Sequence, residues 1–246
     1  SEMCIRDSHM WARHFGAPLV ATVFNFGKSG QEPTNPALLD WLAVEFMERG
    51  WDMKAMHRMM VTSKTYRLAS TVEPEQMKAD PDNVSLWRMN VRRMEAEVVR
   101  DSALAVAGKL DLTMGGPEID ETKGHEIFRR SLYFRTAPDL QMDLMKAFDA
   151  ASPIECFQRS ESIVPQQALA LANGKLGFVV ARAVEADLAK VTEPEAFVRA
   201  VFERLLGRGP KDGELRESVA YLNGPGKGRE SLVHVLLNHN DFVTVR

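Results

Sequence analysis

The chain has 246 residues, of which 45% are hydrophobic and 26% charged, so it has the composition of a globular protein with room for a sizeable core. Its formal net charge of −3 does not supply the basic surface that nucleic-acid binding requires, and no apolar run approaches the roughly 18 residues that span a bilayer. We therefore expect no nucleic-acid partner and no membrane segment in this chain.

The cysteine and histidine spacings give no sign of a metal or cofactor site. Cys4 and Cys156 are too few for a disulfide framework, and the chain contains no C-x-x-C motif. The histidines form neither H-x-x-x-H nor H-E-x-x-H. We expect this chain to hold no cofactor and no metal of its own.

The first strong helix signal lies in "PTNPALLDWLAVEFMERGW". Asn35 is the predicted N-cap, Pro36 occupies the first helical position, and Gly50 follows the apolar stripe where a C-cap is expected. Asp52 is the predicted N-cap of a second helix, which places two helices in a hairpin.

A long helix is predicted from Val91 to Leu110, where apolar residues recur at helical spacing. Glycines and a proline at 115–117 end this pattern. The segment 127–136, "IFRRSLYFRT", alternates apolar and polar residues, which favours a short strand.

Helical patterns return in the last third of the chain. An apolar face with an interruption at Asn173–Gly174 comes first, and Thr192 with Glu195 then predicts a capping box for a helix that ends at Gly207. The predicted fold class is mainly α, a multi-helix globular domain with at most a short strand or hairpin near 127–136. The predicted core anchors are the four tryptophans, Trp11, Trp41, Trp51 and Trp87.

The polar segment "VRRMEAEVVRD" holds the candidate catalytic residues. Glu97 and Asp101 are four residues apart, so a helix places both carboxylates on one face, with Arg93 and Arg100 at ion-pair spacing from Glu97. If this face were buried, the two carboxylates could share a proton and act as an acid–base pair. A solvated, ion-paired helix face is the alternative and the more common meaning of such spacing.

Arginines supply the candidate binding residues. Arg93 and Arg100 on the predicted helix could bind an anion or carboxylate through bidentate hydrogen bonds, and so could a second group farther along the chain, Arg129, Arg130, Arg135 and Arg159. Ion pairs with neighbouring acidic residues are the alternative for all of them.

Several ordered motifs together resemble one family. "WARHFG", "NFG", "PTNPALLDWLA", "SKTYR", "RRSLYF" and "VPQQALALAN" follow one another between Trp11 and about Val245. They are similar to the planctomycete-specific domain, known as domain of unknown function 1553. The chain departs from this pattern at Arg13, where a second histidine is usual, and at His9–Met10, where Asn-Arg is usual.

The resemblance implies a C-terminal module of a larger, exported, multidomain parent protein. Cytochrome-c-like domains would precede it, so haem c would belong to that N-terminal part and not to this chain. The implied location of the parent is the periplasm or the cell surface. The implied partners are the parent's N-terminal domains, with an extracellular polymer as a further candidate. The family has no established activity and therefore lends no catalytic residues.

The opening residues, "SEMCIRDS", lie outside the resemblance. Their codons can match a transposon-end adapter used in shotgun sequencing, so we interpret residues 1–8 as translated adapter and the chain as a metagenomic fragment. We expect residues 1–10 to be a disordered junction, with residues 1–8 in contact with nothing. Residues 11–246 are predicted to form a single helical domain truncated at its N-terminus.

Three functions stay open from the sequence, which does not decide whether the chain is an enzyme. The first is a docking or binding module, favoured by the lack of a recognisable catalytic or cofactor motif. The second is a hydrolase for a polysaccharide-type substrate that uses Glu97 and Asp101. The third is a scaffold for electron transfer by a cytochrome-c-like domain outside this chain.

Overall fold

The structure is a computed structural model that describes residues 2–25, 28–154, 162, 164–225 and 228–245, with side chains from Ser8 onward. Helices dominate this part of the chain, which confirms the predicted mainly α fold class. The α-helices are α1 (Glu2–Phe15), α2 (Pro36–Glu48), α3 (Met53–Thr62), α4 (Pro74–Ala79), α5 (Ala96–Val106), α6 (Asp143–Ala147), α7 (Pro165–Asn173), α8 (Lys175–Asp187), α9 (Pro194–Leu206), α10 (Asp212–Leu222) and α11 (Arg229–Leu237). Short 3-10 helices span Glu121–Lys123, Ser131–Tyr133 and Asn240–Val243, and strands β1 (Arg92–Arg93) and β2 (Thr244–Val245) form a two-stranded sheet.

The chain forms two compact units, the first ending at Arg92 and the second spanning Arg93–Val245. Each unit has its own apolar cluster of buried side chains. The expectation of a single helical domain over residues 11–246 stays a prediction.

The first unit is built on the helix pair that the sequence predicts. The Asn35 side chain accepts a hydrogen bond of 3.0 Å from the Leu38 N–H at the start of α2, and the Asp52 side chain accepts one of 3.1 Å from the Ala55 N–H at the start of α3. Both predicted N-caps are therefore confirmed. The core of this unit contains Met10, Trp11, Phe15, Leu19, Val20, Leu39, Leu42, Phe46, Met56, Met60 and Met89.

The first residues differ from the sequence-based expectation. Glu2–Phe15 is one continuous helix, where a disordered junction over residues 1–10 was predicted. Ser8 is fully buried and Met10 belongs to the core, so the expectation of no contacts is wrong at Ser8. The physical reason is helical spacing, since Trp11 and Phe15 stack one turn apart and fix the face of α1 on which Met10 also packs.

The tryptophans divide between interior and surface. Trp11 is buried, but Trp41 and Trp51 are about half exposed, so they are not the core anchors that we predicted. The buried face of α2 is formed by Leu39, Leu42, Ala43 and Phe46. Trp41 lies outside that stripe, because a helix that buries one face leaves its other positions to solvent.

The second unit packs its helices around α5, α8 and α11. Its core includes Val99, Ala103 and Leu104 of α5, together with apolar residues of the other helices. Helices α8 and α11 approach closely at Gly177, where an added Cβ would lie 2.9 Å from His234 Nε2. Glycine at this position therefore permits the approach of the two helices.

The predicted long helix from Val91 to Leu110 is shorter in the structure. Helix α5 begins at Ala96, and the residues before it are extended. The Met94 N–H donates a hydrogen bond of 2.9 Å to the Val243 oxygen, close to the pairing of β1 with β2. This partner is about 150 residues away in sequence, and the local apolar period gives no signal for it.

The segment 127–136 does not form the predicted strand. A 3-10 turn at Ser131–Tyr133 interrupts it, and isolated bridges pair Arg129 with Asp111 and Phe134 with Ile119. The backbone turns after Arg130, so that Ser131 reaches α5. Ser131 and Phe134 are buried and Leu132 is exposed, so the burial of this segment does not follow the period-two pattern of its sequence.

Two of the predicted helix ends in the last third are confirmed, and one capping box is wrong. Gly174 separates α7 from α8, and Gly207 ends α9 in the left-handed conformation with φ +66°. Helix α9 begins at Pro194 with no side-chain cap, so Thr192 does not form the predicted capping box. The Thr192 oxygen instead accepts a hydrogen bond of 2.6 Å from Arg229. Within the described residues, no helix is both long and apolar enough to cross a membrane.

Candidate functional site

The candidate site is a cleft of about 690 Å³ in the second unit, which we call the first cleft. Helix α5 forms one wall, and the 130–136 segment forms another. Residues Gln141, Met142 and Met145 line it from the segment that contains α6. The candidate catalytic residues Glu97 and Asp101 both line this cleft, as their spacing of four residues on one helix requires.

Asp101 holds the 130–136 segment against α5. Its Oδ1 accepts hydrogen bonds from the Ser131 N–H at 2.8 Å and from Ser131 Oγ at 2.6 Å. Two guanidinium groups approach the same carboxylate, with Arg100 Nη1 at 3.6 Å from Oδ1 and Arg130 Nε at 3.8 Å from Oδ2. Asp101 is thus an acceptor in a positioned network, and its side chain is 18% exposed.

Arg100, a candidate binding residue, lies in the interior. Its side chain is fully buried, so its guanidinium cannot reach a ligand in solvent. The guanidinium donates to the backbone oxygens of Gly124 and Ile127 at 2.8 Å and of Arg129 at 2.8 Å, and to Ser131 Oγ at 3.3 Å. The Phe134 ring packs against it, with its centroid 4.6 Å from Cζ.

The environment of Arg100 lowers its pKa to about 10, since burial penalises the charged form and the Asp101 carboxylate only partly opposes this effect. The residue therefore keeps its charge at neutral pH. That charge is used internally, because the guanidinium satisfies carbonyl oxygens that the 124–131 turn would otherwise bury without donors.

Two other candidate arginines, Arg93 and Arg129, do not line the first cleft. Arg129 donates to the oxygens of Thr113 and Gly115, and its Cζ lies 3.8 Å from the centroid of the Tyr133 ring. Arg93 is half-buried at the start of the second unit, and it does not line the first cleft. Arg159 lies outside the described residues. The structure thus does not assemble an arginine cluster from Arg93, Arg100 and Arg129.

The first cleft has further polar and charged lining residues, of which the sequence analysis did not identify Glu95 and Gln141. Glu95 and Gln141 add polar groups, and Arg130 and Arg135 bring guanidinium groups to its edge. Arg135 is bound to Glu118 at 2.9 Å, and this carboxylate is the main cause of the raised pKa of Arg135. Arg130 and Arg135 belong to the second group of candidate arginines, but only the fold brings their segment to α5.

Exposed apolar side chains line the same cleft. Val98 on α5 is 45% exposed and Leu132 on the facing turn is 56% exposed. Met142 is partly buried and adds a flexible thioether side chain, which suits a surface that adapts to a partner, whereas Met145 lies in the core beneath it. The aromatic lining residue, Phe134, is 7% exposed and offers no open ring face. The first cleft therefore combines an apolar surface with carboxylates and guanidinium groups.

Within the described part of the chain, no group of three or more His, Cys, Asp or Glu side chains is arranged to hold a metal ion. The electrostatic groups of the first cleft are protein carboxylates and guanidinium groups.

Comparison with known proteins gives one family match. The family model described as "PSD1: Protein of unknown function (DUF1553)" matches residues 8–222. The match begins before Trp11 and includes His9 and Met10. No curated protein and no solved structure matches the chain.

Proposed function

Because the chain belongs to the PSD1 family of proteins of unknown function (DUF1553), we propose a function from its first cleft: the chain is a docking module that receives a polypeptide segment of a partner domain. The observation that carries the proposal is the hydrogen bonding of Asp101 within the fold. Its Oδ1 is already occupied by two hydrogen bonds from Ser131, so one member of the candidate acid–base pair serves the fold.

The chemistry of the first cleft favours a polypeptide over a polysaccharide. Val98 and Leu132 present exposed aliphatic side chains, which gain free energy when a partner's apolar side chain covers them. Sugar rings commonly pack on open aromatic faces, and the ring of Phe134 is buried against Arg100. A segment with an apolar residue for this surface and a basic residue near Glu95 and Glu97 is complementary to the cleft.

The partner in this proposal is an N-terminal domain of a longer, exported parent protein at the periplasm or cell surface. A cytochrome-c-like domain with haem c fits this role, and the chain would then also serve as a scaffold for electron transfer. An extracellular polymer is the competing ligand. The basis for this choice is the family resemblance together with the apolar surface of the first cleft.

The docking proposal is tested by selecting a peptide display library on the full chain. We expect the selected peptides to share an apolar residue beside a basic one. Val98→Asp should weaken their binding at least tenfold, because it places a charge in the apolar contact. Val235→Asp is the matched control, since Val235 is exposed on α11 and does not line the first cleft. Selection of no shared sequence, or equal binding by both variants, contradicts the proposal.

A hydrolase is the second candidate, because Glu97 and Asp101 do line one cleft. It predicts turnover of an oligosaccharide that Glu97→Gln abolishes while the fold, followed by circular dichroism, is unchanged. Such turnover, with no peptide binding, would replace docking by hydrolysis as the function of the first cleft.

A further inference from the structure

The second unit contains another cleft, of about 720 Å³, which we call the second cleft. The 3-10 turn at Glu121–Lys123, the segment 139–146 and the junction of α7 with α8 line it. Gln141 and Met142 line both clefts, but one buried acidic residue lines the second cleft alone.

That residue is Glu121, which is 9% exposed. Its Oε2 is shielded from solvent and accepts no hydrogen bond within the described part of the chain. A buried carboxylate is costly unless a cation or hydrogen-bond donors compensate it. The nearby Arg135 interacts with Glu121 through space, but the Arg135 guanidinium hydrogen-bonds Glu118 instead. The carboxylate of Glu121 therefore has no hydrogen-bond donor for its Oε2, and a ligand could supply one.

The surroundings of Glu121 combine negative charge with apolar surface. The carboxylates of Asp139 and Asp143 also line the second cleft. Leu144, Leu169 and Leu176 form its apolar part, and Leu169 is 55% exposed. A cation carried on a hydrocarbon stem matches both features, because its charge can meet the carboxylate while its stem covers the leucines.

Two other ligand classes fit less well. A divalent cation prefers six or more oxygen ligands or a tight group of three side chains, and no such group is found among the described residues. An anion could approach Lys146 and Lys175, but both lysines are exposed and Glu121 would repel it. The two lysines can turn toward solvent, whereas Glu121 is buried in the wall of the cleft.

We propose that the second cleft binds a primary ammonium group on an alkyl stem, with the Glu121 carboxylate as its acceptor and the leucines as the surface for the stem. This site is separate from the docking function of the first cleft. A free alkylamine and the side chain of a lysine on another protein share this chemistry, and a small probe reports on both.

The test uses the full chain labelled with ¹⁵N and titrated with n-butylammonium chloride, followed by proton–nitrogen correlation spectra. We expect saturable shifts of the amides of Thr122, Gly124 and His125, with a dissociation constant on the order of 1 mM for so small a ligand. The neutral n-butanol, which matches the probe in size, should not produce these shifts. Nα-acetyl-lysine methyl amide, whose side-chain ammonium group is free, should produce the same amide shifts if the ligand of this cleft is a lysine side chain of another protein.

Two variants make the proposal falsifiable. Glu121→Gln keeps the shape and removes the charge, and it should weaken binding at least tenfold. If that variant does not fold by circular dichroism, Leu169→Trp serves instead, because it fills the cleft from an exposed position. Asp212→Asn, exposed on α10 and remote from the lining, is the matched control and should bind as the parent chain does.

Three results overturn the proposal. Equal shifts from n-butanol mean that the cleft is only an apolar surface. Stronger shifts of the same amides by Mg²⁺ mean that it is a metal site. Unchanged binding by the folded Glu121→Gln variant, or by Leu169→Trp where Glu121→Gln does not fold, means that the ammonium lies elsewhere. Because Val98→Asp alters only the first cleft, it should leave butylammonium binding intact, so failure of the docking proposal and failure of this one are distinguishable.

Discussion

Replacing Arg100 by Met removes the guanidinium that ties the 124–131 turn to helix α5. The side chain is fully buried, so the replacement leaves the oxygens of Gly124, Ile127 and Arg129 without their donor. A buried acceptor that loses its partner costs about 1–3 kcal/mol. Part of this loss is offset, because the methionine variant no longer has to bury a charged guanidinium, whose removal from water is unfavourable.

We therefore expect Arg100→Met to lower the free energy of unfolding by about 3 kcal/mol, which is a large fraction of the 5–15 kcal/mol typical of a folded protein. Arg100→Lys should also destabilise the chain, because one ammonium group cannot reach three divergent oxygens as a planar guanidinium does. Urea denaturation measures both values. Hydrogen exchange of the amides in 124–131 should speed up in both variants, since this turn loses its anchor.

The matched control is Arg199→Met on α9. Arg199 is half exposed and pairs with Glu195 at 2.8 Å within one helix, so its removal should change stability by less than about 0.5 kcal/mol. An Arg100→Met variant as stable as this control, or unchanged hydrogen exchange in 124–131, would contradict the anchoring role of Arg100. Either result would mean that water can replace the guanidinium at the three oxygens.

Three further predictions concern packing and pH. Gly177→Ala should lower the free energy of unfolding, measured by urea denaturation, by about 1–3 kcal/mol, because its Cβ would press on the Leu171 oxygen of α7 and on His234 Nε2 of α11. Burial, and then the charges of His57 and Arg92, lower the pKa of His14 below 6.5 in the folded protein. Near this pH the unfolded chain therefore binds more protons at His14 than the folded chain does. The free energy of unfolding should fall as the pH drops through 6.5 and become constant below the pKa of the folded state. The hydrogen bond from Arg208 lowers the pKa of Glu214 from 4.5 to about 2. The contribution of the Glu214 carboxylate to the stability of the fold is therefore complete above pH 4.5 and should be lost as the pH falls toward 2.

Each of these predictions has its own check. Gly213→Ala is the control for Gly177→Ala, since nothing lies within 4 Å of a Cβ at Gly213, and it should stabilise α10 slightly. An NMR titration of the His14 ring should show a midpoint below 6.5, and a midpoint above that value contradicts the prediction. Glu214→Gln should flatten the acid limb of stability, whereas Glu217→Gln, exposed on the same helix, should not. Equal acid limbs would contradict the role of Glu214.

The helix N-caps show where local sequence is sufficient. Asn35 and Asp52 were predicted correctly because a capping side chain bonds to a backbone N–H only three residues away. Gly207 was predicted correctly for a similar reason, since the left-handed residue that ends α9 is a local requirement. Thr192 shows the opposite case, because its backbone oxygen accepts from an arginine 37 residues away.

The candidate site shows the same division. Glu97 and Asp101 share a cleft, as their spacing on one helix indicated. Arg100 was assigned a binding role from its charge, although it lies on the same stripe as Val99, Ala103 and Leu104, which are buried. This position could have been recognised from the sequence, because a cation on the apolar face of a helix is expected to be buried and must then find hydrogen-bond acceptors inside the protein. The acceptors themselves, on residues 124–131, could not be seen from the helix.

The sequence by itself determined the mainly α fold class, the family and the ends of several helices, since helical periodicity and capping depend on residues within one or two turns. Only the tertiary structure decided that Arg92–Arg93 is extended, that 127–136 turns back onto α5, and that Glu121 is buried in the second cleft. These features depend on partners tens of residues away or more. Whether a charged side chain binds a ligand or supports the fold follows from its burial and its partners, and those are properties of the packed chain.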